Sequence, residues 1–165
     1  MAKQSSLDVE SLRKDIHYDP QTGQFTLLQD INNKAKKGKV IGYLSKGYVK
    51  VPYKGLRISG HRLAWALTHG VWPDKEVDHI NLDRSDNRLS NLRLATRSQN
   101  AMNRKPLSGR YCGVSLHKPT GRYQSRITVN GITKYLGVFG TEEEAAAEYN
   151  KYAKVFHGEF ARLND

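Results

Sequence analysis

Between Glu76 and Asn100 the chain reads EVDHINLDRSDNRLSNLRLATRSQN, and no other stretch limits the possible folds as tightly. "VDHI" alternates apolar and polar residues as a half-buried strand does, and "NLRLAT" puts Leu92 and Leu94 on one face of a second strand. Thr96, followed three positions later by Gln99, makes a capping box, so a helix is predicted to start near Arg97. Strand, polar loop, strand and helix in so short a span can fold back until Asp78, His79 and Asn100 approach one another. The spacing agrees: His79 to Asn91 is 12 residues and Asn91 to Asn100 is 9. A surface loop accounts for the polarity of this stretch but not for its order.

These residue types suit phosphodiester hydrolysis, which needs an activated water, charge stabilisation on the phosphate and leaving oxygen, and alignment of the two. Histidine, with an ordinary pKa near 6.5, accepts a proton from water at neutral pH. A hard cation such as Mg²⁺ is held by as few as one or two side-chain oxygens, with water and substrate completing its shell. Asp78 and the amide oxygen of Asn100 are enough. Asn91 can fix the loop or the imidazole through hydrogen bonds.

The rest of the chain narrows the choice of partner. Among 165 residues, 27 Lys and Arg against 16 Asp and Glu leave a net charge of +11, which points to a polyanion, nucleic acid before an acidic membrane surface. Cys112 is the single cysteine, so disulfide frameworks and zinc sites built on paired thiolates are excluded, and any metal is held by oxygen or imidazole. No apolar run is long enough to span a bilayer and no secretory leader is visible, so a soluble, cytoplasmic protein is expected. From Ile31 to Pro73 no carboxylate occurs, whereas Lys36, Lys37, Lys39 and six further cations do, a candidate phosphate-facing surface.

Around this segment the pattern predicts a weak amphipathic helix after Ser5 or Ser6 with Leu7, Leu12 and Ile16 on one face, and hairpin strands over 40–58. "HRLAWALTHG" reads as a helix closed by Gly70 that buries Leu63, Leu67 and either Trp65 or Ala66. "RKPLSGR" reads as a linker, and three strand-like runs then precede a helix capped by Thr141 and Glu144. That helix is expected to bury Ala145, Tyr149, Tyr152 or Ala153, and Phe156. On the strands, alternation turns Val114, Leu116, Tyr123, Ser125 and Ile127 towards the helix. It turns Ser115, His117, Gln124, Arg126, Thr128, Thr133 and Tyr135 outward.

"DHINLDRSDNRLSNLRLATRSQNAMN", preceded by "HRLAWALTHGVWP", resembles the HNH nuclease motif in the version found in homing endonucleases of phages and group I introns. The resemblance implies a ββα-metal fold in which His79 is the general base, Asp78 and Asn100 bind Mg²⁺ or Mn²⁺, and Asn91 is the middle, structural asparagine of the catalytic set. Arg93 or Arg97 is placed to contact the scissile phosphate, and the match does not choose between them. His61 is read as a packing or helix-start residue. The segment from Gly113 to Asn164 resembles the plant ethylene-response-factor (APETALA) type DNA-binding domain, on Gly113-Val114, the "GRY" turn, "YLG", "EEAAAEY" and "ARLN". That implies a three-stranded sheet on one helix, reading the major groove through His117, Arg122, Gln124, Arg126 and Tyr135. Ser115 and Thr128 stand where that family has arginine, and Tyr135 where it has tryptophan, so the plant target site does not transfer.

The expected class is therefore α+β. Residues 1–105 carry N-terminal β-hairpins and the ββα-metal (HNH) fold, with the motif at 61–103, and residues 106–165 a small antiparallel sheet packed on one helix. Three functions compete: a metal-dependent DNA endonuclease, monomeric and nicking or dimeric and cutting both strands; a catalytically inactive DNA-binding regulator; and an RNA-binding module. Asp78, His79, Asn91 and Asn100 together favour the first over the second, and a duplex-reading C-terminal domain disfavours the third.

Overall fold

The computed structural model describes residues 7–104 and 110–165. The chain divides into two compact units, residues 1–95 and 96–165. Positions 105 and 106, between which the sequence places the domain boundary, lie outside the described residues, as do Ser5, Ser6 and most of the "RKPLSGR" linker.

The first unit opens with α1 (Val9–Asp15), which begins later than the sequence suggests because Asp8 accepts from the backbone N–H groups of Glu10 and Ser11 and serves as the N-cap. Two strands follow, β1 (Ile16–Tyr18) and β2 (Phe25–Leu27), joined in one antiparallel sheet by β3 (Val40–Ile41). A meander of β4 (Tyr43–Ser45), β5 (Tyr48–Tyr53) and β6 (Leu56–Ser59) fulfils the expected hairpins. Its tight turns are Lys46-Gly47 and Lys54-Gly55, all four residues at positive φ, the two-residue geometry that suits the right-handed twist of paired strands.

β6 runs directly into α2 (Gly60–His69), which Gly70 ends in the left-handed conformation. Leu63, Ala64, Ala66 and Leu67 are buried, so Ala66 takes the core position, whereas Trp65 is half-buried and stacks on His69. Arg13 reaches from α1 to the carbonyls of Leu67 and Thr68 at the carboxyl end of α2, where a cation is favoured. Arg62 donates to the carbonyls of Pro73 and Lys75 and so fixes the approach to β7 (Glu76–His79). β7 pairs antiparallel with β8 (Leu92–Ala95), Asp78 opposite Arg93 and His79 opposite Leu92. Phe25, Leu12, Ile16, Ile58, Leu63 and Val51 are the largest apolar side chains fully sealed in this unit. Asp15 is buried among them. Burial pushes its carboxyl up, but hydrogen bonds from Tyr53, Lys54 and Gln29 more than offset that and hold it below the usual range.

The second unit begins with α3 (Arg97–Met102), capped as expected by the reciprocal Thr96–Gln99 box. β9 (Val114–His117), β10 (Arg122–Val129) and β11 (Ile132–Phe139) form an antiparallel sheet with β10 in the middle, and α4 (Glu142–His157) packs on it. The Asn130-Gly131 turn, both residues at positive φ, sets the β10–β11 register. A bulge between Ser125 and Arg126 brings Tyr135 opposite Arg126.

Val114, Ser125 and Ile127 face the core as predicted, but Leu116 is 52% exposed at the edge strand. On α4 the buried residues are Ala145, Ala146, Tyr149, Ala153 and His157, a four-residue step from Ala145 that Ala146 widens at the first turn. Of the expected alternatives Tyr152 or Ala153, it is Ala153 that is buried, whereas Tyr152 and Phe156 stack on each other at 6.0 Å on the exposed flank with the Lys134 ammonium over the Phe156 ring, so the Phe156 expectation fails. Asn164, the last residue of "ARLN", clasps both backbone groups of Cys112 with its side chain. Cys112 is buried and its thiol is pushed up by burial, which makes it unreactive.

Gly113 is where this unit tolerates least. It has φ +72°, and a Cβ there would lie 2.3 Å from the Arg126 carbonyl oxygen and from Tyr149 Cδ2. Gly113→Ala is expected to destabilise the chain by about 3 kcal/mol or more in urea or thermal unfolding, since backbone strain and overpacking add.

Candidate active site

The loop between β7 and β8 is made rigid by its own polar side chains. Asn81 and Asp83 take up backbone N–H groups two residues on, Asp86 accepts from Arg88 and from Asn81 Nδ2, and Ser85 Oγ donates to Asp83. The Arg88 guanidinium beside Asp86 holds that carboxyl down at about 2. Asn91 sits in a 3-10 turn (Leu89–Asn91) at the far end of the loop and is 6% exposed. Its Oδ1 accepts from Asn81 N–H at 2.9 Å, its Nδ2 donates to the Asp86 carbonyl at 2.9 Å, and its own carbonyl accepts from Ile80 N–H. Of the two roles the sequence leaves open for Asn91, the side chain therefore performs loop bracing.

His79, 5% exposed at the end of β7, is held elsewhere. Its Nε2 lies 3.2 Å from Asn87 Oδ1. The ring stands edge-on to His61 at a centroid distance of 5.2 Å and tilts against Tyr48 at 6.1 Å. Burial lowers the His79 pKa, opposed by the Asn87 hydrogen bond and the Asp78 charge. The Arg84 guanidinium lies over the Tyr48 ring at 5.0 Å and is exposed, so a cation stands at the rim of this pocket of rings. Asn87, His61, Tyr48 and Arg84 were not legible as site residues: they are gathered from a hairpin, a helix start and a loop. The one available signal was the placement of His61 directly before the matching "RLAW".

Asp78 is 6% exposed, and Arg93 Nε and Nη2 both donate to its Oδ2, at 3.0 and 2.9 Å. This pair is nearly dry, the side chains 12% and 7% exposed. Arg93, one of the two arginines expected at the scissile phosphate, is thus committed to the Asp78 carboxylate. Arg97 is exposed on α3, and Asn100 is half-buried there, its backbone N–H bonded to Thr96.

A carboxylate and an amide oxygen are hard donors, so Asp78 and Asn100 fit a divalent cation such as Mg²⁺ in chemical type. Among the described residues no group of three or more His, Cys, Asp or Glu side chains is arranged to hold a metal.

Of the expected nucleic-acid contacts, Lys36 pairs with Asp30 at 2.8 Å, Lys39 Nζ donates to the Lys34 carbonyl and Lys37 N–H to Asp30. The exposed Lys36–Asp30 pair contributes little to stability. On the second unit, Gln124 donates to Ser115, Arg126 Nη2 donates to Gln124 Oε1, and Thr128 bonds Thr133 across the strands, a polar ladder on the sheet face away from α4. Tyr135 is 59% exposed on that face. Arg122 is exposed, and His117 is turned to Thr120 at 2.8 Å.

His61 gives the site a pH signature. Burial pushes it down to about 3, helped by the positive influence of His79, Lys50 and Arg62, and its Nδ1 is buried without a partner. The unfolded chain binds this proton near pH 6.5 and the folded chain does not, so stability falls as pH drops from about 6.5 towards 3, by about 2 kcal/mol at pH 5. Urea unfolding at pH 5 and 7.5 checks this: His61→Phe is expected to flatten the difference.

Residues 60–102, from the start of α2 to the end of α3, match the family model for the HNH endonuclease. An uncharacterized HNH endonuclease of Acanthamoeba polyphaga mimivirus is 36% identical over 124 residues, which are 74% of this chain and 65% of that protein. The AP2-like ethylene-responsive transcription factor ANT of Arabidopsis thaliana is 45% identical over 56 residues, 33% of this chain and 10% of the plant protein. The chain spans just under two thirds of the length of the viral relative, to which it is homologous, and residues 60–102 form an HNH endonuclease domain.

Proposed function

We propose that the protein is a metal-dependent endonuclease of the homing type that hydrolyses phosphodiester bonds in double-stranded DNA. The observation that carries this reading is His79: a buried imidazole, beside Asn87 at hydrogen-bond distance and packed against His61 and Tyr48, within the residues 60–102 that match the HNH endonuclease. His79 takes the proton of the attacking water. Asp78 and Asn100 hold a divalent cation, which when bound stabilises charge on the phosphate and the leaving oxygen. Arg93 holds the Asp78 carboxylate in place, and Arg84 and Arg97 are the cations offered to the backbone.

The likeness of the C-terminal third to a plant transcription factor supports a targeting role for the second unit, its polar ladder laid against a duplex groove. One chain offers one such site, so a monomer nicks and a dimer breaks both strands. Among the described residues no helix is long and apolar enough to cross a membrane, and the proposed place of action is the cytoplasm of a bacterial or phage-infected host cell.

Supercoiled plasmid incubated with the protein and Mg²⁺ or Mn²⁺ tests this reading. Conversion to nicked or linear DNA, abolished by chelator, is the expected result. Binding without cutting at any divalent ion would leave a DNA-binding regulator, and preference for RNA an RNA-binding module. Affinity is expected to fall with salt by about 0.9 log units per log salt for each phosphate neutralised, measured by fluorescence anisotropy. A flat response would contradict a backbone-dominated interface.

A further inference from the structure

Most arginines around the histidine pocket are committed to the protein itself. Arg93 is paired with Asp78, Arg88 with Asp86, and Arg62 donates to the carbonyls of Pro73 and Lys75. Arg84 differs. It is exposed in the β7–β8 loop, and among the described residues its guanidinium has no hydrogen-bond or carboxylate partner; it lies over the Tyr48 ring at 5.0 Å. The carboxylates nearest to it in sequence are taken by others. Asp83 accepts from the Ser85 N–H at 2.9 Å and from Ser85 Oγ at 2.6 Å, and Asp86 accepts from Arg88 and from Asn81 Nδ2. The Arg84 stem passes the Lys46-Gly47 turn, where a Cβ on Gly47 would meet its Cδ at 3.9 Å.

Tyr48, the first residue of β5, fixes this cation. Its ring lies against His61 at 5.5 Å and His79 at 6.1 Å, and Lys50 Nζ, tied to Ser59 Oγ at 2.8 Å, is 6.0 Å from the same ring. A ring packed against two imidazoles has little freedom, so a cation drawn to it is held in one place at the rim of the pocket. An arginine on an open loop gives up rotamer freedom when it grips a ligand, and one already laid on a ring has given up part of it in advance. Its planar fork keeps its N–H donors, which match the two unesterified oxygens of a phosphodiester.

We propose that Arg84, held on Tyr48, is the seat for a DNA phosphate beside the one that is cut, with Tyr48 as its positioning residue. Arg84 meets Tyr48 and Tyr48 meets His79, so the guanidinium engages the backbone one ring away from the proposed base. It therefore contributes to holding the duplex, in ground state and transition state alike, and its loss falls on KM rather than kcat. The proposal rests on the endonuclease reading for its substrate, and its binding consequence is measurable without cleavage.

The test measures duplex DNA binding by fluorescence anisotropy in chelator, over a range of salt, with the full-length protein and its variants. Arg84→Gln is expected to raise Kd about 10–100-fold, as for loss of a charge-assisted bidentate contact, with the melting temperature unchanged. The same variant should reduce the salt slope by about 0.9 log units per log salt, the share of one phosphate. Tyr48→Leu is expected to raise Kd about 2–5-fold, Tyr48→Phe to restore it, and Tyr48→Leu to add nothing in the Arg84→Gln background. In plasmid cleavage with Mg²⁺ or Mn²⁺, Arg84→Gln should raise KM and leave kcat within a few-fold. Wild-type Kd and salt slope in Arg84→Gln would overturn the proposal, as would a loss confined to kcat. A Tyr48→Leu effect that persists in full beside Arg84→Gln would also overturn it, because the ring would then act through the histidines. A wild type that shows the Arg84-dependent salt slope and cuts no DNA would refute the endonuclease reading while leaving the phosphate seat supported.

Discussion

His79→Ala is expected to lower the rate of plasmid cleavage about 10²–10⁴-fold, the usual contribution of a positioned general base, while DNA affinity stays within about twofold. The second half of that expectation follows from burial. His79 is 5% exposed and contributes little surface to a bound duplex, whereas the cations available to phosphate are on loops, hairpin turns and the second sheet. A parallel fall in affinity and rate would mean that the variant has disturbed the fold. The ring is packed against Tyr48 and His61, so the melting temperature should be measured beside the rate.

Asp78→Ala is expected to have the largest effect on stability. It leaves the Arg93 guanidinium buried without the carboxylate that takes two of its hydrogen bonds, which costs about 3–5 kcal/mol for one partner of a buried pair. For a chain of this size the melting temperature should fall by about 10 °C or more. Activity is lost as well, but two causes overlap. The double variant Asp78→Leu/Arg93→Met separates them: apolar residues of similar volume replace the pair, so stability recovers while cleavage does not. Recovery of cleavage in the double variant would show that the carboxylate is needed only to satisfy Arg93.

What could be read from the sequence was what short-range chemistry decides. The Thr96–Gln99 and Thr141–Glu144 boxes are each made within four residues and both form. The β7–β8 pairing follows from two short alternating runs, and the meander from Lys-Gly turns. The aspartate and histidine of the motif were evident because they adjoin in sequence. Their true neighbours were not. Tyr18 and Asn87 are 69 residues apart, and His61 reaches His79 only because β6 runs straight into α2.

Arg93 or Arg97 was expected at the scissile phosphate from the resemblance, which does not choose between them. The register that sets Arg93 opposite Asp78 gives Arg93 an ion pair that the sequence did not reveal. On α4, periodicity alone could not choose between Tyr152 and Ala153, and it put Phe156 in the core where His157 is buried. The choice fell to the residues that continue the four-residue step, and the larger rings moved to the flank.

Anomalous diffraction at the manganese edge, from crystals of the full chain soaked in Mn²⁺, measures the central claim most directly. The account predicts a single strong peak bonded to a carboxylate oxygen of Asp78 and to Oδ1 of Asn100, at about 2.0–2.2 Å as for a small hard cation, with His79 beside it. Manganese bound away from both residues, at an ion concentration that supports cleavage, would contradict it.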